Sequence, residues 1–418
     1  MTARGGSGPR SGLWRNRDFL LLWSAQGISA VGSRVTRTAL PMAAILVIGA
    51  SAIDLGVLSV ALTLPGALLA WLAGGWIDRH RRRPVLIAAD LVRAVALLAI
   101  PAAALTGNLS LSLLYAVAVI VGICAVVFTV ADHVFITNLV APDLLLDANG
   151  KREAADATAE ITGPALGGAL VAWLTAPIAI AFDALTFVVS ALLIGRIRRE
   201  ERVAALQATP SIASLLEDVR QGMQVVWRDR VVRALFLATA TLTLCFSFMA
   251  SLYTLYALRE LGLSPAQLGV AIGCGGIGAL IAATIAAPAV RRWGIRRVLI
   301  SSLVLGGAMQ VFVPLAPPVP MVAMCFLISQ QVVGDGALTV YMINEATLRQ
   351  RLLPADVLGR AAATWSLANG VLTPTGALAG AVLAEIIGLR TTLWLLAVGG
   401  GVAALWLIAA RRALPGSG

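Results

Sequence analysis

Long stretches of this chain are apolar at almost every position and are separated only by brief polar interruptions. The first series of runs lies near 19–49, 54–76, 85–105, 110–131, 157–174 and 177–195, and a second near 234–257, 266–289, 298–315, 320–343, 361–384 and 391–410. A helix needs ~20 apolar residues to cross a bilayer, so each run predicts one crossing. Between the two series, 198–233 is too polar to cross. There Ile212, Leu215, Leu216, Val219, Met223 and Val226 recur at helical spacing opposite Glu217, Asp218, Arg220 and Gln224, which predicts an amphipathic surface helix. The implied organisation is a tail (1–18), a six-helix bundle (19–197), a linker (198–233), a second six-helix bundle (234–410) and a short tail (411–418).

Composition excludes a soluble domain. Of 418 residues, 59% are hydrophobic and only 13% charged, with a mean hydropathy of +0.88; soluble proteins carry about 25% charged residues. The fold class is therefore all-α and polytopic, with twelve transmembrane helices. The net charge of +11 would suggest nucleic acid in a soluble chain, but its distribution gives another reading. With the N-terminus inside, Lys and Arg concentrate in the inside segments, and the outside loops hold Arg259 and Arg390. Both termini are thus expected in the cytoplasm, and no nucleic-acid partner is needed. Arg4, Arg10, Arg15 and Arg17 precede the first run as in a secretory signal, but no convincing cleavage site follows, and an uncleaved first helix is the better reading.

Superimposing the second run of each series places Leu55-Gly56-Val57 on Leu268-Gly269-Val270, Arg79 on Arg292, Arg83 on Arg296 and Val85-Leu86-Ile87 on Val298-Leu299-Ile300. An even number of crossings per copy gives both the same orientation, a parallel repeat with a substrate path between the halves.

The segment from Gly74 to Leu86 joins a glycine pair to Asp78 and to Arg79, Arg81, Arg82 and Arg83. A positive-inside anchor requires neither the glycines nor the acid. Here the chain resembles the major facilitator superfamily, whose loop signature matches at Gly74, Asp78, Arg79, Arg82 and Arg83; the family's second glycine is Arg81 in this chain. The copy in the second half keeps Arg292, Gly294 and Arg296, with Arg291 in place of the acid. The resemblance implies a cytoplasmic gate, with Asp78 at a helix N-terminus and Arg82 paired to Asp132. Gly163-Pro164-Ala165-Leu166-Gly167-Gly168 is similar to a helix-packing element of the exporter branches. Three further stretches resemble siderophore, macrolide and multidrug efflux carriers: Arg15 to Phe19 with Leu22-Trp23, Asp183 to Phe187, and Leu358-Gly359-Arg360. The fourth run lacks the central arginine common in proton-coupled drug antiporters.

Ionisable residues inside a membrane are costly and mark functional sites by default. They include Arg34, Arg37, Asp90, Arg93, Glu160, Asp183 and Asp335. Asp90 and Arg93, three apart, are expected to neutralise one another, and Glu160 to lie near a cytoplasmic end. Asp335 sits ~22 Å into its run and Asp183 ~9 Å from the outer surface. With Arg37, and with Arg34 beside it, they form the expected coupling or substrate set. Gly273-Cys274-Gly275-Gly276-Ile277-Gly278 fits a dinucleotide fingerprint literally, but lies in an apolar run where close helix packing is the reading. Cys124, Cys245, Cys274 and Cys325 stand alone in apolar runs, so no metal site and no cofactor is expected. The resemblance implies a multi-pass monomer of the bacterial cytoplasmic membrane that exports small amphipathic compounds in exchange for protons. The alternatives are a dedicated siderophore or metabolite exporter and, from another class, a membrane sensor or enzyme; no nucleophile-and-base constellation or P-loop pattern supports an enzyme.

Overall fold

The computed structural model describes residues 12–77, 79–199, 201 and 212–414, and among them there is no strand. Thirteen helices carry the fold: α1 (Arg17–Ile48), α2 (Ala52–Ile77), α3 (Arg82–Leu105), α4 (Leu111–Leu139), α5 (Leu145–Trp173), α6 (Ala176–Gly195), α7 (Ile212–Arg228), α8 (Arg230–Arg259), α9 (Pro265–Trp293), α10 (Ile295–Leu315), α11 (Pro320–Leu352), α12 (Ala355–Ile387) and α13 (Leu389–Ala409). Eleven of them are long and apolar enough to cross a membrane. The other two are α7 and α5.

Helix α5 differs because its first half is charged. The apolar run beginning at 157 marks only its later part, and the helix continues back to Leu145 through Asp147, Lys151, Arg152, Glu153 and Asp156. Glu160 is consequently near the middle of a 29-residue helix, and its side chain is partly exposed. Hydropathy does not mark this half as helix, although Arg152 pairs there with the buried Asp132 and Lys151 lies over the Trp14 ring.

Local chemistry sets the ends. Asn16, Ser110, Thr175, Asp229 and Ser264 accept hydrogen bonds from the first turns of their helices, and Ser264 forms a reciprocal capping box with Gln267. Gly294 and Gly388 each make a one-residue joint, between α9 and α10 and between α12 and α13, at φ of 79° and 88°, which a side chain would resist. Two helices contain a wider π turn, at Ala44–Ile48 in α1 and Gln330–Asp335 in α11.

In the first half, α1 packs on α5 and α6, α3 on α4 and α6, and α2 on α4; in the second, α8 packs on α12 and α13, α10 on α11 and α13, and α9 on α11. The halves meet along α5 with α9 and along α2 with α12. At the end away from the termini, one buried apolar cluster runs through both halves, including Leu55, Val171, Leu268 and Ala384. At the terminal end the described residues form separate clusters, one around Phe19, Leu86 and Phe135 and another around Leu235, Leu299 and Leu407. Val95, Leu185, Val398 and Leu405 are exposed on the outside, as lipid-facing positions must be. Helix α7 lies on α12, where Gly222 sits against Thr364 and Arg360, and Arg360 donates to Gln221.

Candidate functional site

Several polar groups interrupt the apolar interior; one of them, in the second half, pairs the buried Glu345 with Arg349 at 3.7 Å. Of the others, the first is at the terminal end of the first half. Trp23 of α1 donates to the carbonyl of Lys151 at 3.0 Å, Gln26 donates to Asp132 of α4, and Arg152 of α5 reaches Asp132 at 3.1 Å. The base meeting Asp132 is therefore Arg152, where Arg82 was expected. Arg82 is buried at the start of α3; its backbone N–H and that of Arg83 donate to the carboxylate of Glu201 at 2.5 and 2.6 Å, and the Arg83 side chain donates to the carbonyls of Ile194 and Gly195. An anion at a helix N-terminus meets both free N–H groups and the positive end of the macrodipole. Asp78 lies outside the described residues; Gly74 is in the last turns of α2, and Arg79 is exposed just beyond it. Sequence reasoning missed Glu201, Gln26 and Arg152 because their partners are more than a hundred residues away, or on another helix.

The second group is deep in the first half. Arg93 of α3 is ion-paired with Asp90, one turn before it, and its guanidinium lies between the rings of Phe128 and Phe187, 4.7 and 4.1 Å from their centroids. Phe187 is one turn beyond Asp183 on α6, so the ring over Arg93 and the buried Asp183 carboxylate share one face of that helix. Asp183 is 1% exposed and accepts from Thr186 at 3.0 Å. It fits there because Gly32 of α1 has no side chain: a Cβ at that position would be 2.4 Å from Asp183 Oδ1 and 2.1 Å from Thr186 Oγ1. The buried hydroxyls of Ser190 and Thr36 lie beside Asp90 and Asp183 respectively.

The third group belongs to the second half. Asp335 ends the π turn of α11 and accepts from Gln330 at 3.0 Å; Gln330 also reaches Gln310 of α10 at 3.4 Å. The buried Tyr253 hydroxyl lies beside Gln331, which packs against Gly275 of α9.

The expected set of Arg34, Arg37, Asp183 and Asp335 is not one constellation. Arg34 and Arg37 both bind Glu160, at 2.8 and 2.6 Å on its two oxygens, while Asp183 and Asp335 stand in opposite halves. Spacing along α1 could not reveal Glu160 as the shared acid because α5 is brought alongside only by packing.

The small residues of α5 show how that packing works. A Cβ on Gly163 would meet Arg34 Cβ at 2.2 Å, one on Gly167 would meet Val35, and one on Gly168 would be 2.8 Å from Gly269 Cα across the seam between halves. Pro164 sits in the same buried stripe, and its carbonyl is 2.4 Å from where a Gly269 Cβ would lie. The register that places Gly56 on Gly269 also places Gly163, Gly167 and Gly168 on Gly376, Gly380 and Ala381 of α12. Their contacts repeat too: Gly376 meets Leu244 and Ser247, Gly380 meets Phe248, and Gly56 meets Ala381. One pseudo-twofold axis thus generates both seams, and the correspondence is written in the sequence register. Gly273 and Gly276 press on Ile161, and Gly278 presses on Val332, so the fingerprint-like glycines serve helix packing.

Comparison with known proteins agrees with this architecture. The chain is 25% identical over 379 residues to the multidrug efflux pump Tap of Mycolicibacterium fortuitum, covering 90% of this chain and 91% of that protein. It is 27% identical over 397 residues to the pump of the same name from Mycobacterium tuberculosis, covering 92% and 91%. Among solved structures, a bacterial homologue of the iron transporter ferroportin in an inward-facing state superposes with a TM-score of 0.77 at 20% identity, covering 94% of this chain and 98% of that one. The profile of the Major Facilitator Superfamily matches residues 22–259 and 235–417, and with two matched six-helix halves around a common axis, the chain belongs to that superfamily of membrane transporters.

Proposed function

We propose that this transporter exports small amphipathic organic compounds of the drug or antibiotic type across the bacterial cytoplasmic membrane, by alternating access and in exchange for protons. The observation that carries the reading is the charge imbalance around Arg93. One guanidinium faces two enclosed carboxylates, Asp90 and Asp183, and an uncompensated charge in such surroundings is strongly disfavoured. A proton on one acid restores neutrality. Export of drug-like compounds follows the similarity to the multidrug efflux pumps along nine-tenths of the chain.

The substrate route is between the halves. Arg37 is half-exposed well along a bilayer-crossing helix, where an exposed guanidinium facing lipid would be prohibitive, so it faces a water-filled space. The apolar cluster joining the halves at the end away from the termini, with separate clusters at the terminal end, supports a state open toward the termini. We take that side as cytoplasmic from the arginine distribution, and the loop of Asp78, Arg79, Arg82 and Arg83, beside the already paired Asp132 and Arg152, as the gate that engages the other half when it closes.

The test is efflux of a panel of cationic dyes, antibiotics and siderophores from cells expressing the protein, with and without an uncoupler, and substrate-driven proton release from inverted vesicles. Wild type is expected to show uncoupler-sensitive efflux of amphipathic compounds, and Asp183→Asn to lose it at unchanged membrane abundance. Efflux indifferent to both the uncoupler and Asp183→Asn would overturn proton exchange.

A further inference from the structure

A groove of about 600 Å³ opens at the terminal end of the second half, where the N-terminus of α10 meets the C-terminus of α13. Arg296, Arg297, Arg411 and Arg412 line it, together with Ser301, and no Asp or Glu does. Among the described residues none of the four guanidiniums has an acidic partner; the ends are joined by Arg296 donating to the Arg411 carbonyl at 3.4 Å, while Arg230 donates nearby to the carbonyl of Ala409 at 3.2 Å. The neighbouring acid in the chain, Asp229, is occupied in capping α8. Four like charges around one cavity repel one another and disfavour this meeting of α10 and α13 unless an anion lies among them.

The floor shows which kind of anion fits. Below the arginines the groove is lined by Ile300 and Val304, and the same faces continue as exposed apolar surface through Leu305 on α10 and Leu405 and Ile408 on α13. Trp293, half-exposed where α9 turns into α10, stands at the same level, as interfacial tryptophans do. The guanidiniums therefore ring the point where lipid-facing surface gives way to water. A soluble anion would use the arginines but not Ile300 and Val304, whereas a phospholipid uses both. We propose that this groove binds an anionic phospholipid, its phosphate held by Arg296, Arg297, Arg411 and Arg412 and an acyl chain lying along Ile300 and Val304, so that the lipid clamps α10 to α13. Basic pockets between transmembrane helices have this chemistry.

The test is native mass spectrometry of the full-length protein released from detergent with palmitoyl-oleoyl phosphatidylglycerol or the corresponding phosphatidylcholine. Wild type is expected to retain phosphatidylglycerol roughly tenfold or more over phosphatidylcholine, and Arg411→Gln/Arg412→Gln, beyond the last helix, to lose most of that preference. Arg15→Gln/Arg17→Gln, at the same end of the other half, is expected to keep it. Ile300→Asn/Val304→Asn should weaken phosphatidylglycerol retention with the arginines intact, and phosphatidylglycerol should raise the unfolding midpoint of wild type but not of the Arg411/Arg412 variant. Equal retention of the two lipids by wild type, or unchanged retention by the Arg411/Arg412 variant, overturns the proposal. So does complete displacement of phosphatidylglycerol by millimolar inorganic phosphate, which would make the groove a soluble-anion site.

Discussion

Arg93 illustrates how a buried charge is kept in lipid-embedded protein: a carboxylate one turn away, an aromatic ring on each side, and a second carboxylate within reach. Removing one partner of such a group leaves the other uncompensated, at a cost of roughly 3–5 kcal/mol, whereas replacing both by apolar residues is often close to neutral. The second half carries that replacement, since the repeat register puts Leu303, Gly306 and Leu396 where the first half has Asp90, Arg93 and Asp183. The fold itself therefore does not require the charges. Arg93→Leu is expected to lower the thermal unfolding midpoint in detergent more than the double variant Asp90→Leu/Arg93→Leu, with transport lost in both; equal midpoints would mean that the two residues are not coupled. Gly32 is the corresponding steric position. Gly32→Ala places a methyl group against Asp183 and Thr186, and overpacking of this kind costs about 1–3 kcal/mol, so lowered stability together with impaired proton coupling is expected.

Helices α5 and α12 act as the paired runners of the two seams, and their glycines set how closely the halves approach. At the α5–α9 seam glycine faces glycine (Gly168 and Gly269), whereas at the α2–α12 seam glycine faces alanine (Gly56 and Ala381). Gly168→Ala gives the first seam the composition of the second and is expected to shift it modestly; Gly168→Leu should hold α5 and α9 apart and favour the state open at the end away from the termini. Spin labels at Asn108 and Thr391, one in each half at that end, would report a longer distance in Gly168→Leu than in wild type, and an unchanged distance would remove the seam as a determinant of closure. Much of this level was legible beforehand. Apolar runs located the crossing helices, and the Gly163–Gly168 stripe was recognisable as a packing surface. The charged first half of α5 was not, because an apolar run marks only the part of a helix that lies in lipid, and a helix that continues in charged residues leaves no such run. The π turn at Gln330–Asp335 was also hidden, since no residue pattern separates it from ordinary helix. Glu160 and Glu201 escaped for a related reason: their roles depend on which helices become neighbours, and contacts across more than a hundred residues leave no local periodicity.

In the whole molecule, symmetric packing carries asymmetric chemistry. The seams, the glycine contacts and the helix neighbours repeat between halves, and so does the acid at the terminal end, where Asp132 falls on the equally buried Glu345 and each has an arginine beside it. The deeper groups do not repeat: Asp90, Arg93 and Asp183 have apolar or glycine counterparts in the second half, and Asp335 falls on Gly122 in the first. Gly122 is pressed against the Leu62 carbonyl and has no room for a side chain, so the first half cannot hold a copy of the Asp335 site. Two jobs are thereby separable. The first half keeps an enclosed charge network with Phe128 and Phe187 packed over it, suited to a proton and too crowded for an organic molecule. The second half offers a less enclosed acid among amide groups and the Tyr253 hydroxyl, a mixture suited to recognising a polar feature of a substrate. Asp183→Asn is therefore expected to abolish the dependence of efflux on the proton gradient for every substrate alike, whereas Asp335→Asn should change which compounds are exported and their apparent affinities while efflux of those that remain stays uncoupler-sensitive. Measuring half-maximal efflux concentrations for several dyes in both variants, with and without the uncoupler, separates the two roles. If both variants lost gradient dependence to the same degree and left the substrate profile unaltered, the division of labour between the halves would be refuted, and the acids would have to act as one relay across the central axis.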